Sequence, residues 1–389
     1  MPEAGASTNP KRFMILDRKW LAEGQTGVMS TTDRLHGCSG TGRLLLAYLI
    51  WCRAAVVRGD RMQFDQPNRR QIITLVGGAA VSWPLAVRAQ QPTKLVRIGV
   101  LASLPLPPLQ RFSRKLREYG YVEGQNLRFE SRFAEGRDDR YPALAAELAA
   151  VPVDIIVTWG TPAAIAAKQA TGTIPIVMGA IGDPVSVGLV SGLARPEGNI
   201  TGFATLSVDL EGKRLELLKD LLPQLARVGI LANAANPYSE AALKIVHRTA
   251  GQLRVALELV AVRNTDQIED ALLRLDQTRP DAVLVFADTL LLTKRNSIVA
   301  ALARSRLPAI YPYREYAEAG GLIALGANFG VLFERAAVYV DRILKGARPA
   351  DLPIQLATEF ELIINRKAAA AVGLNIAPTL VARADEVIE

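Results

Sequence analysis

Apolar residues from Val96 onward occur in two alternating patterns. Short runs rich in β-branched residues, of which the first covers 96–102, alternate with stretches in which apolar positions recur every three or four residues. The helical spacing is clearest at Leu109, Phe112, Leu116 and Tyr119. Gly120 marks the end of this helix. Strands that alternate with amphipathic helices are typical of a parallel sheet with crossover helices, so the pattern predicts an α/β fold.

The alternation occurs twice, which indicates two lobes of similar size. In the first lobe we expect strands at 96–102, 127–133, 153–158, 174–178 and 200–205. In the second we expect a helix at 209–222 and strands at 228–233, 255–262, 282–287 and 308–311. One more strand, a helix at 332–346 and an extended stretch at 356–365 follow. The lobes share no clear sequence repeat. The predicted fold class is therefore α/β, with two Rossmann-like lobes built on parallel sheets.

Residues 62–89 have the organisation of a signal peptide. Arg69-Arg70 precede an uncharged run at 71–87, and Val87-Arg88-Ala89 offers cleavage after Ala89. The run contains two glycines and a proline and is shorter than the ~20 apolar residues of a membrane span, which favours a cleaved leader over an anchor. The arginine pair resembles a twin-arginine signal, although Ile72 stands where that motif usually has Phe, and Sec export stays open. We expect a soluble product in the periplasm.

The first 61 residues fit poorly in front of an export leader, because such leaders begin within a few residues of the N-terminus. Met62 stands eight residues before Arg70 and is the start that we expect. Residues 1–61 are then a non-native or disordered extension. A genuine cytoplasmic extension is the alternative, and its apolar run at 44–52 is too short to span a membrane.

The distribution of charge and of reactive side chains excludes several functions. The net charge is +8, but 12 Lys/Arg and 6 Asp/Glu lie within the first 90 residues, which leaves +2 for the rest. The chain beyond residue 90 is so close to neutral that it lacks the basic face that a nucleic-acid partner requires. Both cysteines, Cys38 and Cys52, precede residue 90, and only His247 follows it. Zinc sites, thiol chemistry and Cys/His dyads are therefore excluded beyond the leader, and we expect no metal.

Motifs for bound nucleotides are absent from the sequence. Ser103-Leu104-Pro105-Leu106-Pro107-Pro108 follows the first strand where a dinucleotide fold has its glycine-rich turn, and no phosphate-binding P-loop occurs. We expect no cofactor.

Residues at the carboxyl ends of the strands are the candidates for ligand binding, because ligands of open α/β sheets bind there. Three of these ends share an Xaa-Pro pair: Thr161-Pro162, Asp183-Pro184 and Asn236-Pro237. Each pair predicts a helix start, whose free N–H groups suit a carboxylate, although ordinary capping explains any one of them.

Other side chains follow the strands directly. Asp288 can hold an ammonium or cap the following helix, and Ser103 follows the first strand. The aromatic residues near the strand ends can line a site or pack in the core: Trp159, Tyr238, Tyr311, Tyr313 and Tyr316. Arg314 and Glu315 are expected to form a solvated pair. Asp183 with Asp288 is the one acid/base pair available, and nothing completes a catalytic set.

These residues resemble a known family, the ABC-transporter substrate-binding proteins of the tryptophan/tyrosine-uptake type. The resemblance extends from about Arg97 to Glu389. It is carried by ordered blocks at 119–126, 160–164, 182–185, 193–202, 212–219, 236–237, 287–288, 308–311, 318–322 and 339–346.

The resemblance implies a type I periplasmic-binding-protein fold, in which two lobes joined by a three-stranded hinge close over a small ligand. The lobes then cover 95–205 and 206–320, and 321–389 supplies hinge crossovers and elements that complete both. Thr161, Asp183, Asn236 and Asp288 fall at ligand-facing positions. The sequence departs from the family in the proline-rich loop after the first strand, at Ala287-Asp288-Thr289 and at Ala324-Leu325, so the ligand need not be an aromatic amino acid.

We therefore expect a monomeric, non-enzymatic periplasmic solute-binding protein that passes an amino acid or related carboxylate to an ABC permease in the inner membrane. The expected ligand-binding residues are Ser103, Trp159, Thr161, Asp183, Asn236, Asp288 and Tyr313. Helix starts at Thr161 and Asp183 would hold the carboxylate, Asp288 the ammonium, and Trp159 or a tyrosine the side chain. A ligand sensor for a membrane receptor and an exported enzyme on the same scaffold are the alternatives.

Overall fold

The computed structural model describes residues 95–105, 108–205 and 207–389. The signal peptide and the N-terminal extension that the sequence predicts lie outside the described residues.

Strands and helices alternate along most of the described chain. The strands are β1 (Val96–Ala102), β2 (Leu127–Phe133), β3 (Ile155–Trp159), β4 (Ile176–Ile181), β5 (Ile200–Ala204), β6 (Arg227–Asn233), β7 (Ala256–Val262), β8 (Ala282–Val285), β9 (Ala309–Tyr311), β10 (Ile323–Ala327), β11 (Gln355–Leu356), β12 (Phe360–Asn365) and β13 (Glu386–Ile388). The helices are α1 (Pro108–Glu118), α2 (Tyr141–Ala150), α3 (Thr161–Ala170), α4 (Ser207–Leu221), α5 (Pro237–Leu253), α6 (Ile268–Thr278), α7 (Thr289–Thr293), α8 (Arg295–Arg304), α9 (Arg314–Glu318), α10 (Phe329–Leu344), α11 (Arg366–Ala371) and α12 (Pro378–Val381). Short 3₁₀ helices cover Asp138–Arg140, Thr265–Gln267 and Pro349–Asp351.

The strands form two sheets, one in each lobe. The first sheet has the order β11-β5-β4-β3-β1-β2, and all its pairs are parallel. The second has the order β13-β12-β10-β9-β8-β6-β7, in which β10 and β12 are antiparallel and the other pairs are parallel. The strand order β5-β4-β3-β1-β2 recurs as β10-β9-β8-β6-β7. The predicted fold class, two parallel α/β lobes joined by a hinge, is confirmed.

The central strands are apolar throughout because helices cover both faces of each sheet. Every residue of β3 and β4 is buried, and Ile98 of β1 lies in register between Phe129 of β2 and Ile155 of β3. The observed bounds of β1 and β2 are the predicted ones.

The chain crosses between the lobes three times. It leaves the first lobe after β5, returns at Asn328 between β10 and α10, and leaves again at 357–359 between β11 and β12. The extended stretch predicted at 356–365 is therefore two strands in different sheets. The helix predicted after Asp288 is also divided, because α7 ends at Thr293 and α8 begins at Arg295.

Position 202 in β5 requires a glycine, because of both its backbone conformation and the atoms around it. Its φ is +134°, and a Cβ there would lie 2.2 Å from the carbonyl oxygen of Met178 in β4. An L side chain is strained at this φ, and β4 cannot move away without breaking the ladder beside the first crossing.

We expect Gly202→Ala to lower the free energy of unfolding by about 3 kcal/mol, because backbone strain and overpacking add. Urea and thermal unfolding followed by circular dichroism measure this change. Gly192→Ala is the control, since a Cβ at residue 192 has no atom within 4 Å. Equal stability of the two variants would contradict the assigned constraint.

Candidate ligand-binding site

A cavity lies between the lobes at the points where each strand order reverses. These points fall between β1 and β3 and between β6 and β8, where open α/β sheets bind ligands. The first lobe contributes Trp159, Gly160, Thr161, Ala180, Ile181, Gly182 and Thr205 to the lining. The second lobe contributes Asn236, Tyr238, Ala287, Asp288, Thr289 and Tyr313, and Phe329 comes from the start of α10.

The lobes are close together around this cavity. Its empty space, including the opening to solvent, is about 390 Å³. Residues of both lobes surround the cavity, which is a closed arrangement of the two lobes.

Aromatic rings form the apolar part of the wall. Trp159 ends β3, and its ring packs edge-on against Phe333 at a centroid distance of 5.2 Å. Tyr313 packs against Phe329 at 4.8 Å, with Tyr316 behind it at 6.4 Å. The indole Nε1 of Trp159 is buried and has no hydrogen-bond partner among the described residues, so a donor in the wall is free for a ligand.

The start of α3 supplies further donors to the cavity. Its N-cap residue is Gly160, which offers no side-chain cap, and Pro162 follows Thr161 in the first turn. Thr161 is thus the first residue of the helix rather than its cap, and its Oγ1 accepts a hydrogen bond from the Gly182 N–H at 3.4 Å. An uncapped helix start next to a cavity favours an anion there.

Asn236 and Asp288 form one hydrogen-bonded group on the second lobe. The Asp288 carboxylate caps α7 by accepting from the Leu291 N–H at 3.0 Å, and its Oδ2 accepts from Asn233 Nδ2 at 3.1 Å and Asn236 Nδ2 at 2.8 Å. Asn236 in turn caps α5 by accepting from the Tyr238 N–H. The capping that the sequence offered as an alternative is observed at both residues, and both also line the cavity.

Asp288 carries the single charged side chain among the described residues that line the cavity. It is 2% exposed, and burial raises the pKa of its carboxyl group, while the hydrogen bonds from Asn236, Leu291 and Asn233 act in the opposite direction. The second lobe therefore presents a carboxylate to the cavity, whereas the first presents the N–H groups at the start of α3 and the Trp159 Nε1 donor.

A buried ion pair supports the wall from behind. Glu211 Oε1 accepts from the Tyr238 hydroxyl at 2.8 Å and from the Ala287 N–H at 2.9 Å, and it pairs with Arg214 Nη1 at 2.7 Å. Arg214 Nε donates to the Leu325 carbonyl at 2.7 Å. Because both ionic side chains are at most 1% exposed, the pair fixes Tyr238 and the segment before Asp288 in place.

The structure brings five of the seven expected residues together at the cavity: Trp159, Thr161, Asn236, Asp288 and Tyr313. Ser103 is not among the lining residues. It is fully buried, and its Oγ accepts from the Gly136 N–H at 3.1 Å.

The expectation of a helix start at Asp183 is wrong. Turns follow Asp183-Pro184, and the carboxylate accepts hydrogen bonds from the Val185 and Ser186 N–H groups of its own loop. An Xaa-Pro pair is compatible with a turn as well as with a helix start, and at residues 183–184 it forms a turn. Asp183 does not line the cavity, so it cannot form an acid/base pair with Asp288 there.

Arg314 and Glu315 do not form the predicted solvated pair. Arg314 instead pairs with Glu361 at 2.9 Å and with Glu386 at 2.8 Å, and Glu315 is buried. The two side chains point to different neighbours because they lie in consecutive positions of α9.

Several lining residues were not in the expected set. Thr205 follows β5 and Thr289 follows Asp288, so the strand-end rule could have included both. Tyr238 was noted as a nearby aromatic residue but not chosen. Phe329 had no signal in the sequence, because it reaches the cavity only through the second crossing.

The two-lobed sheets, the three crossings and the cavity between the strand ends define a binding protein of the type I periplasmic class. The sequence profile of the ABC transporter substrate binding protein family matches residues 109–388, and the chain belongs to this family.

Relatives and solved structures agree with this assignment. A tyrosine-binding protein of Clostridioides difficile is 27% identical over 277 residues, which is 70% of this chain and 79% of the relative. A conserved domain protein from Vibrio cholerae is 27% identical with a TM-score of 0.71, covering 76% of this chain and 100% of its own. An ABC domain from Streptococcus pneumoniae in complex with L-Trp is also 27% identical, with a TM-score of 0.69 over 75% and 99% of the two chains.

Within the described ranges, no helix combines the length and apolar character of a membrane span, and no three His, Cys, Asp or Glu side chains are placed to hold a metal ion.

We expect Asp288→Ala to lower the free energy of unfolding by about 2–4 kcal/mol, because it removes a cap and leaves two buried amides without their acceptor. Urea unfolding without ligand measures the loss. Asp183→Ala is the matched control, and we expect it to cost about 1 kcal/mol or less because it caps only a partly exposed turn. A larger loss at residue 183 than at 288 would contradict these roles.

Proposed function

We propose that the protein is the periplasmic receptor of an ABC importer and captures an L-amino acid with an aromatic side chain. The lobes close over the ligand, and an inner-membrane permease then receives it from the monomeric binding protein. On this proposal the protein catalyses no reaction, and the predicted leader directs its export.

The observation that carries the proposal is the division of the cavity into donors on one lobe and acceptors on the other. The uncapped start of α3 and the free Nε1 of Trp159 suit a carboxylate on the first lobe. Asp288 suits an ammonium on the second lobe. The rings of Trp159, Tyr313 and Phe329 suit an aromatic side chain.

The relatives support the same ligand class. One is named a tyrosine-binding protein, and one structure holds L-Trp. Because the acceptors and donors belong to different lobes, a zwitterion contacts both only when they are closed. Its binding therefore favours the closed state by its differential affinity.

We expect L-tyrosine, L-tryptophan or L-phenylalanine to bind with a saturable change in Trp159 fluorescence. In a protein comprising residues 90–389, Trp159 is the only tryptophan. The same ligand should raise the melting temperature, since about 100-fold excess over Kd stabilises by about 2.7 kcal/mol. No product should form from the ligand.

Ligand analogues provide the control for this titration. 3-Phenylpropionate lacks the ammonium and phenethylamine lacks the carboxylate, so each should bind at least about tenfold more weakly, which corresponds to about 1.4 kcal/mol. Equal binding of the analogues would contradict a zwitterion site. If no amino acid binds, the ligand class is wrong while family membership stands.

Closure of the lobes also requires Gly182 of the first lobe to lie close to Tyr238 of the second. A Cβ on this residue of the first lobe would lie 2.7 Å from Cδ2 of Tyr238 on the second. The Tyr238 ring is 2% exposed and its hydroxyl is held by Glu211, so the ring has little room to move.

We expect Gly182→Ala to weaken ligand binding by roughly tenfold, because overpacking of about 1–3 kcal/mol opposes the closed state. Calorimetric titration with the best ligand measures the change. The melting temperature without ligand should remain close to that of the parent, since the clash is absent when the lobes separate. Gly192→Ala should bind as the parent does, and undiminished affinity of Gly182→Ala would contradict closure at this contact.

A further inference from the structure

A side-chain hydrogen bond connects the lobes at the rim of the cleft. Asp138 belongs to the 3₁₀ helix after β2 on the first lobe, and its Oδ2 accepts from Asn233 Nδ2 on the second lobe at 2.8 Å. The same nitrogen donates to Asp288 Oδ2 at 3.1 Å. One amide group of a fully buried asparagine therefore connects a carboxyl group from each lobe.

The first lobe holds Asp138 in this position. Ser103 at the end of β1 accepts from Gly136 N–H through its Oγ at 3.1 Å and from Glu135 N–H through its carbonyl at 2.7 Å. These bonds fix the segment that precedes Asp138. Ser103, which is not a lining residue, thereby orients the loop that reaches the other lobe.

The surroundings of Asp138 leave its charge uncompensated. Its Oδ1 is buried and lacks a hydrogen-bond partner among the residues that the structure describes. Asp288 faces it from the second lobe. In its own segment, Arg137 is engaged with Asp139 at 3.3 Å. Arg263, from the loop after β7, also lines this rim.

Closure therefore changes the acidity of Asp138. Burial, then the charge of Asp288 and, less strongly, that of Asp139 raise the pKa of Asp138 to about 7, while the hydrogen bond from Asn233 lowers it in part. When the lobes separate, the group returns to water, where an aspartate has a pKa of about 3.9.

We propose that Asp138 is a positioning residue for ligand capture, whose contact with Asn233 and Asp288 couples closure of the lobes to the uptake of a proton. This inference rests on the proposed function. The proton binds Oδ1, and Oδ2 continues to accept from Asn233. An ammonium of the ligand at Asp288 neutralises one of the two carboxyl groups, and the proton neutralises the other.

The direction of the pH dependence follows from the linkage between proton binding and closure of the lobes. The closed state binds the proton more tightly than the open state, so closure is favoured at low pH and weakened as pH rises through 7. Between pH 8 and pH 6 the affinity for the ligand should increase about tenfold. The charges of the α-carboxyl and α-ammonium groups of a free amino acid change little in this interval.

The test is calorimetric titration of the full chain with L-tyrosine and L-tryptophan at pH 6 and pH 8. We expect the parent to bind about tenfold more tightly at pH 6 and Asp138→Asn to bind equally at both, because the amide keeps an acceptor for Asn233 but does not titrate. Asp139→Asn is the matched control: it removes only the weakest of the contributions that raise the pKa of Asp138, so it should keep most of the pH dependence of the parent. A parent without pH dependence, or an Asp138→Asn variant that keeps it, overturns the proposal.

A second measurement separates this inference from the ligand assignment. With Trp20, Trp51 and Trp83 replaced by Phe, acrylamide quenching reports the exposure of Trp159 without any ligand. Quenching should be weaker at pH 6 than at pH 8, and independent of pH in the Asp138→Asn background. If no amino acid binds, the proposed function fails, and the quenching measurement alone tests the coupling between closure and proton uptake. Equal quenching at pH 6 and pH 8 would then overturn that coupling.

Discussion

The carboxylate of Asp288 is the interaction on which the second-lobe half of the site depends. Its two oxygens hold the first turn of α7, the amide of Asn233 at the end of β6 and the amide of Asn236 at the start of α5. The start of α7 is thus fixed to the turn between β6 and α5, although Asp288 follows Asn233 by 55 residues. A buried carboxylate is costly, and these donors offset the cost.

This dependence explains why binding and folding use the same residues here. The same donors that stabilise the buried Asp288 carboxylate hold it at the surface of the cavity. Among the described lining residues it is the one negatively charged side chain, and none is basic. Glu211 and Arg214 form a second buried polar group behind the cavity wall. Glu211 pairs with Arg214 and accepts hydrogen bonds from Tyr238 and from the Ala287 N–H. The polar groups behind this wall of the cavity are consequently held by hydrogen bonds and an ion pair.

Much of this arrangement could be predicted from the sequence because parallel sheets impose it. Buried strands give continuous apolar runs, and the residues after them share one edge, so Trp159, Thr161, Asn236 and Asp288 were found together. Asp183 failed because local hydrogen bonds to Val185 and Ser186 decide between a turn and a helix, and the Xaa-Pro pattern is common to both. Phe329 and the link between Asp138 and Asn233 depend on how the lobes meet, which no local pattern reports.

The two lobes share a strand order but present different polar groups to the cavity. The first lobe offers N–H donors at α3 and Trp159, while the second offers the carboxylate of Asp288. Neither lobe alone satisfies a zwitterion, because each presents only one sign of partner. A ligand that joins them replaces the water lost from both walls and adds contacts only in the closed state, so its binding energy appears as closure. Three crossings join the lobes, and each is a short segment between elements of different sheets.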